Sequence, residues 1–273
     1  MCVPGCHDVV MRRLSRRGFF KGIGAAAAAA ATVPLATAPA RAVPISFERV
    51  VDLTHPLPPD FPTFFGEPQL EIEKMATFDP DGYNMNRWHL VEHTGTHMDA
   101  PIHFSADGAD ASSIEIEKLV VPLAIIDVKA KAAENADYQV TPDDIAAWES
   151  AHGRLPDGCC VAMNSGWGPL VGSAKFRNAD SEGKLHFPGF HAEAADMMIR
   201  DRNVVGMAVD TLSLDYGGSP DFKTHYTWLP SGRWGMECVA NLDALPAVGA
   251  TLVVGSPKIV GATGGPSRLI ALV

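Results

Sequence analysis

The segment from His93 to Phe104 concentrates the side chains best able to do chemistry. It reads H-T-G-T-H-M-D-A-P-I-H-F and places His93, His97, Asp99 and His103 close together in the chain. Imidazole nitrogen and carboxylate oxygen are ligands that suit Zn²⁺, Mn²⁺ or Fe²⁺, and a set of two histidines and one carboxylate leaves positions open for water. The segment therefore predicts a catalytic metal site.

The local structure of this segment decides whether its ligands converge. The spacing of His93 and His97 suits one face of a helix, but a glycine between two threonines and the presence of Pro101 disfavour a helix. An extended strand with period two would place every candidate ligand on one side, with Gly95 keeping that side open. The alternative to a metal site is four unrelated polar residues on an edge strand. Burying a polar cluster without a shared partner costs free energy, which disfavours this alternative.

A second pair of candidates, His225 and Glu237, lies in stretches rich in Gly, Pro and Trp. Such stretches are typical of loops around a functional site. Each residue also has an ordinary structural interpretation. His225 could be a hydrogen-bonded loop residue, and Glu237 could be the first-turn acid of a helix over residues 237–242. The residues alone leave both interpretations open.

The whole His93 segment resembles the H-x-G-T-H-x-D-x-P-x-H-F signature of the metal-dependent cyclase family, which includes bacterial kynurenine formamidases and isatin hydrolases. The likeness extends over nearly all of the chain from Val50 onward. The resemblance implies a divalent metal, Mn or Zn, and His103 as the proton donor and acceptor. The implied ligands are His93, His97 and Asp99 at a first metal position, and His225 and Glu237 at a second.

Within this family, residues 61–68 are similar to the isatin hydrolases. Formamidases commonly have a Trp-Pro-Gly-Asp type element at this place, whereas this chain has F-P-T-F-F-G-E-P, with Phe64 and Phe65 at the Trp and Pro positions. Residues 210–217 and 225–232 also resemble isatin hydrolases. A wall of Phe side chains suits a flat aromatic substrate, although adjacent Phe residues are equally common in cores and interfaces. The candidate substrate contacts are Phe61, Phe64, Phe65 and Trp88.

The resemblance implies an amidohydrolase that opens the cyclic amide of isatin to isatinate with metal-activated water and His103 as the proton shuttle. The alternative within the enzyme class is an arylformamidase acting on N-formylkynurenine. The alternative outside it is a periplasmic receptor that binds metal without chemistry. Ser165 does not suit a serine hydrolase, because G-x-S-x-G is absent.

The amino terminus predicts export. Ser15 to Lys21 reads S-R-R-G-F-F-K, which matches a twin-arginine signal, and Ala40-Arg41-Ala42 matches an A-x-A cleavage site. The apolar stretch between them is shorter than the roughly 20 strongly apolar residues of a membrane span. We therefore expect residues 1–42 to be a signal peptide and the mature chain to be periplasmic, without a membrane anchor.

Charge and cysteine content exclude several functional classes. Residues 1–42 contain six of the 22 basic and one of the 32 acidic residues, which leaves the mature chain with a formal charge of −15. Such an acidic chain argues against binding to nucleic acid and for a small-molecule substrate. The mature chain keeps Cys159, Cys160 and Cys238. Two adjacent thiols in an odd set do not suit a disulfide framework, so we interpret all three as buried apolar thiols.

Residues 43–273 have the length of a single α/β domain. Short apolar runs at 123–128, 159–163, 204–209 and 251–254 predict strands. Thr141-Pro142-Asp143-Asp144 predicts a helix start, with the helix ending before Gly153, and residues 191–202 predict a second helix. The family resemblance implies the cyclase-type swivelling β/β/α fold, with a mixed sheet or barrel-like core flanked by helices, and a homodimer or larger assembly.

Substituting Arg16 and Arg17 with lysine should prevent export, because Lys does not reproduce the planar guanidinium group of Arg. Fractionation of cells followed by immunoblotting should then detect unprocessed protein inside the cell. Undiminished activity in the periplasmic fraction would contradict the prediction.

Overall fold

A nine-stranded mixed sheet forms the centre of residues 46–273, which are the residues that this computed structural model describes. The predicted signal peptide, residues 1–42, lies outside the described residues. The strands are β1 (Val50–Asp52), β2 (Leu70–Ala76), β3 (Met85–Leu90), β4 (His97–Asp99), β5 (Val120–Asp127), β6 (Gln139–Val140), β7 (Cys160–Asn164), β8 (Gly189–Phe190), β9 (Gly206–Val209), β10 (Trp234–Glu237), β11 (Ala250–Gly255), β12 (Gly264–Pro266) and β13 (Arg268–Leu272).

The order of strands in the large sheet is β1-β13-β11-β5-β7-β9-β10-β4-β12. Neighbours from β5 to β10 are parallel, and the pairs on either side of this block are antiparallel. The helices are α1 (Phe78–Asp81), α2 (Lys129–Glu134), α3 (Pro142–His152), α4 (Ala174–Arg177), α5 (Ala192–Asp201) and α6 (Lys223–Trp228). The predicted mixed sheet with flanking helices is confirmed.

The four apolar runs that predict strands form β5, β7, β9 and β11. Successive side chains of a strand point to opposite faces. Ala124 and Ile126 of β5 therefore pack in one hydrophobic cluster with α3 and α5, whereas Leu123 and Ile125 pack in another with β11. Because both faces of the sheet are covered, its central strands are apolar without alternation.

The two predicted helices are also confirmed. Thr141 accepts a hydrogen bond from the Asp144 backbone N–H, and the Asp144 carboxylate accepts one from the Thr141 N–H, so α3 begins with a capping box. Pro142 occupies the first helical position, and the chain leaves the helix at Gly153, whose φ is +88°. His191 is the N-cap of α5.

The hairpin formed by β2 and β3 pairs with neither of the other sheets. It is solvated on both faces and carries large apolar side chains in the open. Ile72 and Trp88 are cross-strand partners on one face, and Trp88 is 69% exposed. The opposite face carries Glu73, which accepts hydrogen bonds from Arg87 and lies 3.1 Å from His89 Nε2.

The cysteine expectation is confirmed, since Cys159, Cys160 and Cys238 are buried free thiols. Burial raises the pKa of Cys159 to about 12, which keeps this thiol protonated at neutral pH. Within residues 46–273, none of the helices combines the length and the apolar character that crossing a bilayer requires.

Candidate metal centre

The segment that carries the predicted ligands is not one continuous strand, so that part of the sequence interpretation is wrong. Only His97–Asp99 forms a strand, and Pro101–Phe104 forms a 3₁₀ turn that Pro101 begins. Gly95 has a φ of +70°, in the left-handed region, and a Cβ there would lie 2.7 Å from Leu57 Cδ1. The left-handed backbone at this bend therefore favours glycine.

The bends nevertheless bring the predicted ligands together. His93, before the strand, has its Nδ1 2.7 Å from Asp99 Oδ1. His103, in the 3₁₀ turn, stacks on His93 with ring centroids 3.7 Å apart. Asp99 is fully buried and His97 is 3% exposed. The ligands meet because the chain turns on both sides of a three-residue strand.

Sheet register brings in Glu237. Strand β10 pairs with β4 so that Glu237 lies opposite His97 and Gly235 opposite Asp99. Glu237 is thus the last residue of a strand, and the alternative in which it begins a helix is wrong. His225 lies on the short helix α6 rather than in a loop, and its side chain is buried.

Each candidate ligand imidazole has an outer nitrogen, which faces away from the other candidate ligands. A hydrogen bond at this nitrogen fixes the orientation of the ring. The Nδ1 of His97 lies 2.8 Å from the Gly95 carbonyl oxygen, which only accepts, so Nδ1 carries the proton. The other nitrogen, Nε2, then faces Asp99 Oδ1 at 3.4 Å and Glu237 Oε2 at 3.3 Å.

His225 follows the same pattern with a carboxylate as its outer partner. Its Nδ1 donates to Asp215 Oδ2 at 2.6 Å. Its Nε2 lies 3.2 Å from Glu237 Oε1 and 3.5 Å from Asp99 Oδ2.

His93 is oriented through a hydroxyl group. Thr263 Oγ1 donates its one proton to Glu92 Oε2, so it accepts from His93 Nε2 at 2.9 Å. In neutral His93 the lone pair is then on Nδ1, which faces Asp99 Oδ1.

This arrangement fits a divalent metal. The inner nitrogens of His93, His97 and His225 each present a lone pair to the two buried carboxylates of Asp99 and Glu237. Lone pairs and carboxylates are all acceptors, so they converge in this way only around a proton or a cation. Within the described part of the chain, His97 Nε2 and Asp99 Oδ2 are buried without a hydrogen-bond partner of good geometry. Ligand atoms of His97, Asp99 and Glu237 lie within 4.8 Å of one another, as do those of His93, Asp99 and His103. These clusters divide the residues differently from the family resemblance, which groups His97 with His93 and Glu237 with His225. Asp99 is shared, with Oδ1 nearer His93 and His97 and Oδ2 nearer His225.

The same contacts perturb the protonation of the metal-free site. Burial would lower the pKa of His97, but hydrogen bonds and charge from Asp99 and Glu237 raise it to about 10. The pKa of His225 is likewise raised well above its usual value against burial, by Asp215, Asp99 and Glu237. Both rings therefore hold a proton at pH 7 where a metal ligand needs a lone pair.

His103 differs from the other site histidines. Burial lowers its pKa to about 4, and the nearby Asp99 carboxylate only partly offsets this. At pH 7 the ring is neutral and has a nitrogen free to accept a proton.

A cavity of about 270 Å³ opens above these residues. Its floor consists of His93, His97, His103, His225 and Glu237, and its apolar wall includes Phe64, Phe65, Val91, Phe104, Leu212 and Phe222. Of the predicted substrate contacts, Phe64 and Phe65 line the cavity. Phe61 does not, since it is buried edge-on against Phe176, and Trp88 does not, since it stands exposed on the hairpin.

Sequence reasoning missed Asp215, Thr263, Phe104 and Phe222 as parts of the site. Phe104 and Phe222 flank the His225 ring, with centroids at 4.6 and 5.9 Å. Two signals were available: Phe104 is the last residue of the signature, and Asp215 lies within residues 210–217, which resemble isatin hydrolases. Thr263 and Phe222 lie in no such stretch.

Comparison with known proteins identifies the class to which this fold and site belong. The Cyclase family model matches residues 51–216. Isatin hydrolase from Roseibium aggregatum is 36% identical over 80% of this chain and 85% of its own. The structure of isatin hydrolase A from Labrenzia aggregata bound to benzyl benzoate is 38% identical, covers 82% of this chain and 93% of its own, and has a TM-score of 0.77. Kynurenine formamidase from Salinibacter ruber is 24% identical over 81% of this chain and 96% of its own. The chain therefore belongs to the Cyclase family.

Binding of a divalent metal to the metal-free protein should release protons at pH 7, because His97, with its pKa raised to about 10, must lose a proton to become a ligand. The apparent affinity should rise with pH through neutrality, by about tenfold per pH unit for each proton displaced. Calorimetry of Zn²⁺ binding in two buffers with different ionisation enthalpies measures this release. Identical heats in both buffers would show that no proton leaves.

Proposed function

We propose that this chain is a metal-dependent amidohydrolase that hydrolyses the cyclic amide of isatin to isatinate. The convergence of three imidazole lone pairs and two carboxylates beside an aromatic cavity is the observation that carries this proposal. The likeness to isatin hydrolases over most of the chain supports the substrate.

The proposed first metal position comprises His93, His97 and Asp99, and His225 and Glu237 provide ligands for a second that shares Asp99. Imidazole and carboxylate ligands suit both Zn²⁺ and Mn²⁺, so we propose one of these ions. When bound, such an ion polarises an amide carbonyl and makes water more acidic.

His103 is the proposed proton shuttle. Its ring is neutral at pH 7, so it accepts a proton from water and returns it to the nitrogen of the breaking amide bond. Stacking on His93 and contact with Phe104, whose ring centroid lies 4.7 Å away, hold the imidazole in place. A fixed ring is required because general bases act efficiently only from a defined position.

The apolar wall suits a flat aromatic substrate. Phe64 contacts both Phe65 and Phe222, at centroid distances of 5.4 and 5.8 Å, which makes a continuous aromatic surface that reaches His225 through Phe222. Offset or edge-on contacts with such a surface add roughly 0.5–1.5 kcal/mol per ring pair beyond area burial.

We predict that the metal-loaded protein converts isatin to isatinate and that His103→Ala lowers kcat by about 10²- to 10⁴-fold while the metal is retained. His97→Ala should lose both metal and turnover. Absorbance of the isatin ring system follows the reaction, and elemental analysis of the purified variants follows the metal. A fully active His103→Ala enzyme would contradict the role of His103.

Arylformamidase activity on N-formylkynurenine is the second candidate function. The ligands for a second metal position and the likeness to kynurenine formamidase favour it. The same assay with both substrates separates the two activities. Metal retention without turnover of either amide would instead favour a metal-binding receptor.

We also propose that the mature protein is periplasmic and forms a homodimer or larger assembly through the hairpin of β2 and β3. An isolated two-stranded hairpin is marginally stable in water, and this one exposes Ile72, Phe78, Tyr83 and Trp88. A second copy of the chain that covers these side chains removes their apolar surface from water, which favours association.

The double variant Ile72→Ser/Trp88→Ser should be monomeric in light scattering at concentrations where the wild type is dimeric or larger, because it loses the paired apolar contacts of the hairpin. Val260→Ser removes an exposed side chain elsewhere on the surface and should leave the wild-type mass unchanged. A monomeric wild type would refute the assembly, and an unchanged double variant would refute the hairpin as its interface.

A further inference from the structure

Asp215 is a buried carboxylate that lines no part of the cavity and contacts the site only through His225. Its side chain is 4% exposed and its Oδ2 accepts from His225 Nδ1 at 2.6 Å. The same oxygen accepts from the His225 backbone N–H at 3.1 Å. One oxygen therefore holds both the backbone and the ring of His225.

The second oxygen of Asp215 is equally committed. Oδ1 accepts from the Thr224 backbone N–H at 2.9 Å and from Ser219 Oγ at 3.3 Å. With all four contacts made, the carboxylate has a single orientation. An ionised carboxylate only accepts hydrogen bonds, so the Nδ1 atom of His225 must carry the proton that it donates to Asp215.

We propose that Asp215 is a positioning residue that makes His225 a metal ligand, an inference that rests on the proposed metal-dependent function. By holding the proton on Nδ1, Asp215 directs the Nε2 lone pair toward Glu237 and Asp99, which lie 3.2 and 3.5 Å away. Partners that fix the outer nitrogen of a ligand histidine typically change metal affinity by about 10- to 100-fold when removed.

Asp215 therefore supports the second metal position, whereas the first depends on different outer partners. His93 is oriented by Thr263 and Glu92, and His97 by the Gly95 carbonyl. The effect of a change at Asp215 should consequently be confined to the side of the site that contains His225.

Asp215→Asn is the informative substitution because it preserves shape but replaces an acceptor with a donor. If the Asn carbonyl faces Thr224, its NH₂ group replaces the oxygen that faces His225, so the hydrogen bond from the His225 backbone N–H is lost and Nδ1 must become the acceptor. The ring proton then moves to Nε2 and points at Glu237. If the amide flips, its NH₂ meets the Thr224 N–H, and that hydrogen bond is lost.

The proposal predicts two results with Asp215→Asn. Competition with a chelator should show that Zn²⁺ affinity falls by about 10- to 100-fold. If two positions are occupied, the fall should be at the weaker one; if only one is occupied, it should be at that one. Nitrogen-15 NMR of labelled histidine in zinc-loaded samples should show the His225 proton on Nδ1 in the wild type. In the variant, the proton should be on Nε2 or divided between the two tautomers.

Asp210→Asn provides a matched control. Asp210 is also buried and accepts from the Ser165 and Trp167 backbone N–H groups, but it contacts none of the site histidines. This variant should lose stability while its zinc affinity and the His225 spectrum stay as in the wild type. Asp215→Glu, which keeps a carboxylate, should recover part of the lost affinity.

Unchanged zinc affinity in Asp215→Asn would overturn the proposal, as would wild-type affinity in His225→Ala, which would show that His225 is no ligand. An equal loss of zinc in Asp210→Asn would reduce Asp215 to a structural role. None of these measurements uses isatin. If the zinc-affinity and NMR results are as predicted but the protein does not hydrolyse isatin, only the proposed function is refuted. If the protein hydrolyses isatin but these results are not found, only the role of Asp215 is refuted.

Discussion

The rest of the site depends on the burial of two carboxylates, Asp99 and Glu237, on the neighbouring strands β4 and β10. An unpaired buried carboxylate costs several kcal/mol, so the surrounding structure must supply positive charge or become unstable. Here the surrounding groups are three imidazoles, and each has its outer nitrogen committed to a carbonyl, a hydroxyl or another carboxylate. The inner nitrogens have only the carboxylates to face. In the metal-free protein, protons on the inner nitrogens balance the charge of the carboxylates. A divalent cation would balance the same charge and would be coordinated by the lone pairs of those nitrogens.

The fold contributes rigidity at this point. Strand β4 is short, but it lies between β10 and β12, so its backbone is hydrogen-bonded on both sides. Register with β10 places Glu237 opposite His97, and the parallel pairing of β10 with β9 ties that strand to the covered part of the sheet. Ligands on such a scaffold keep their spacing when substrate enters, as catalysis by positioned groups requires. The aromatic wall, by contrast, comes from loops and short turns, which suits the part of a site that adapts to a substrate.

Much of this could be predicted from the sequence. Apolar runs located four of the sheet strands, and the Thr141-Pro142 start located a helix with its cap, because these signals act locally. The density of ligands between His93 and His103 indicated a metal, although the segment bends where a straight strand was expected. Long-range features could not be predicted. Nothing near Glu237 shows that it pairs with His97, since that contact follows from strand order, and Asp215 is recognisable only once His225 lies beside it. Phe61 and Phe64 differ by three positions, yet only the turn of the chain decides that one faces the core and the other the cavity.

The position of a bound metal tests whether the buried carboxylates and the imidazoles hold a cation. An anomalous difference map from crystals of zinc-loaded mature protein, recorded at the zinc absorption edge, should show its strongest peak among His93, His97 and Asp99, with any second peak between His225 and Glu237. A peak that lies away from Asp99, or a protein that binds no zinc under these conditions, would contradict the account.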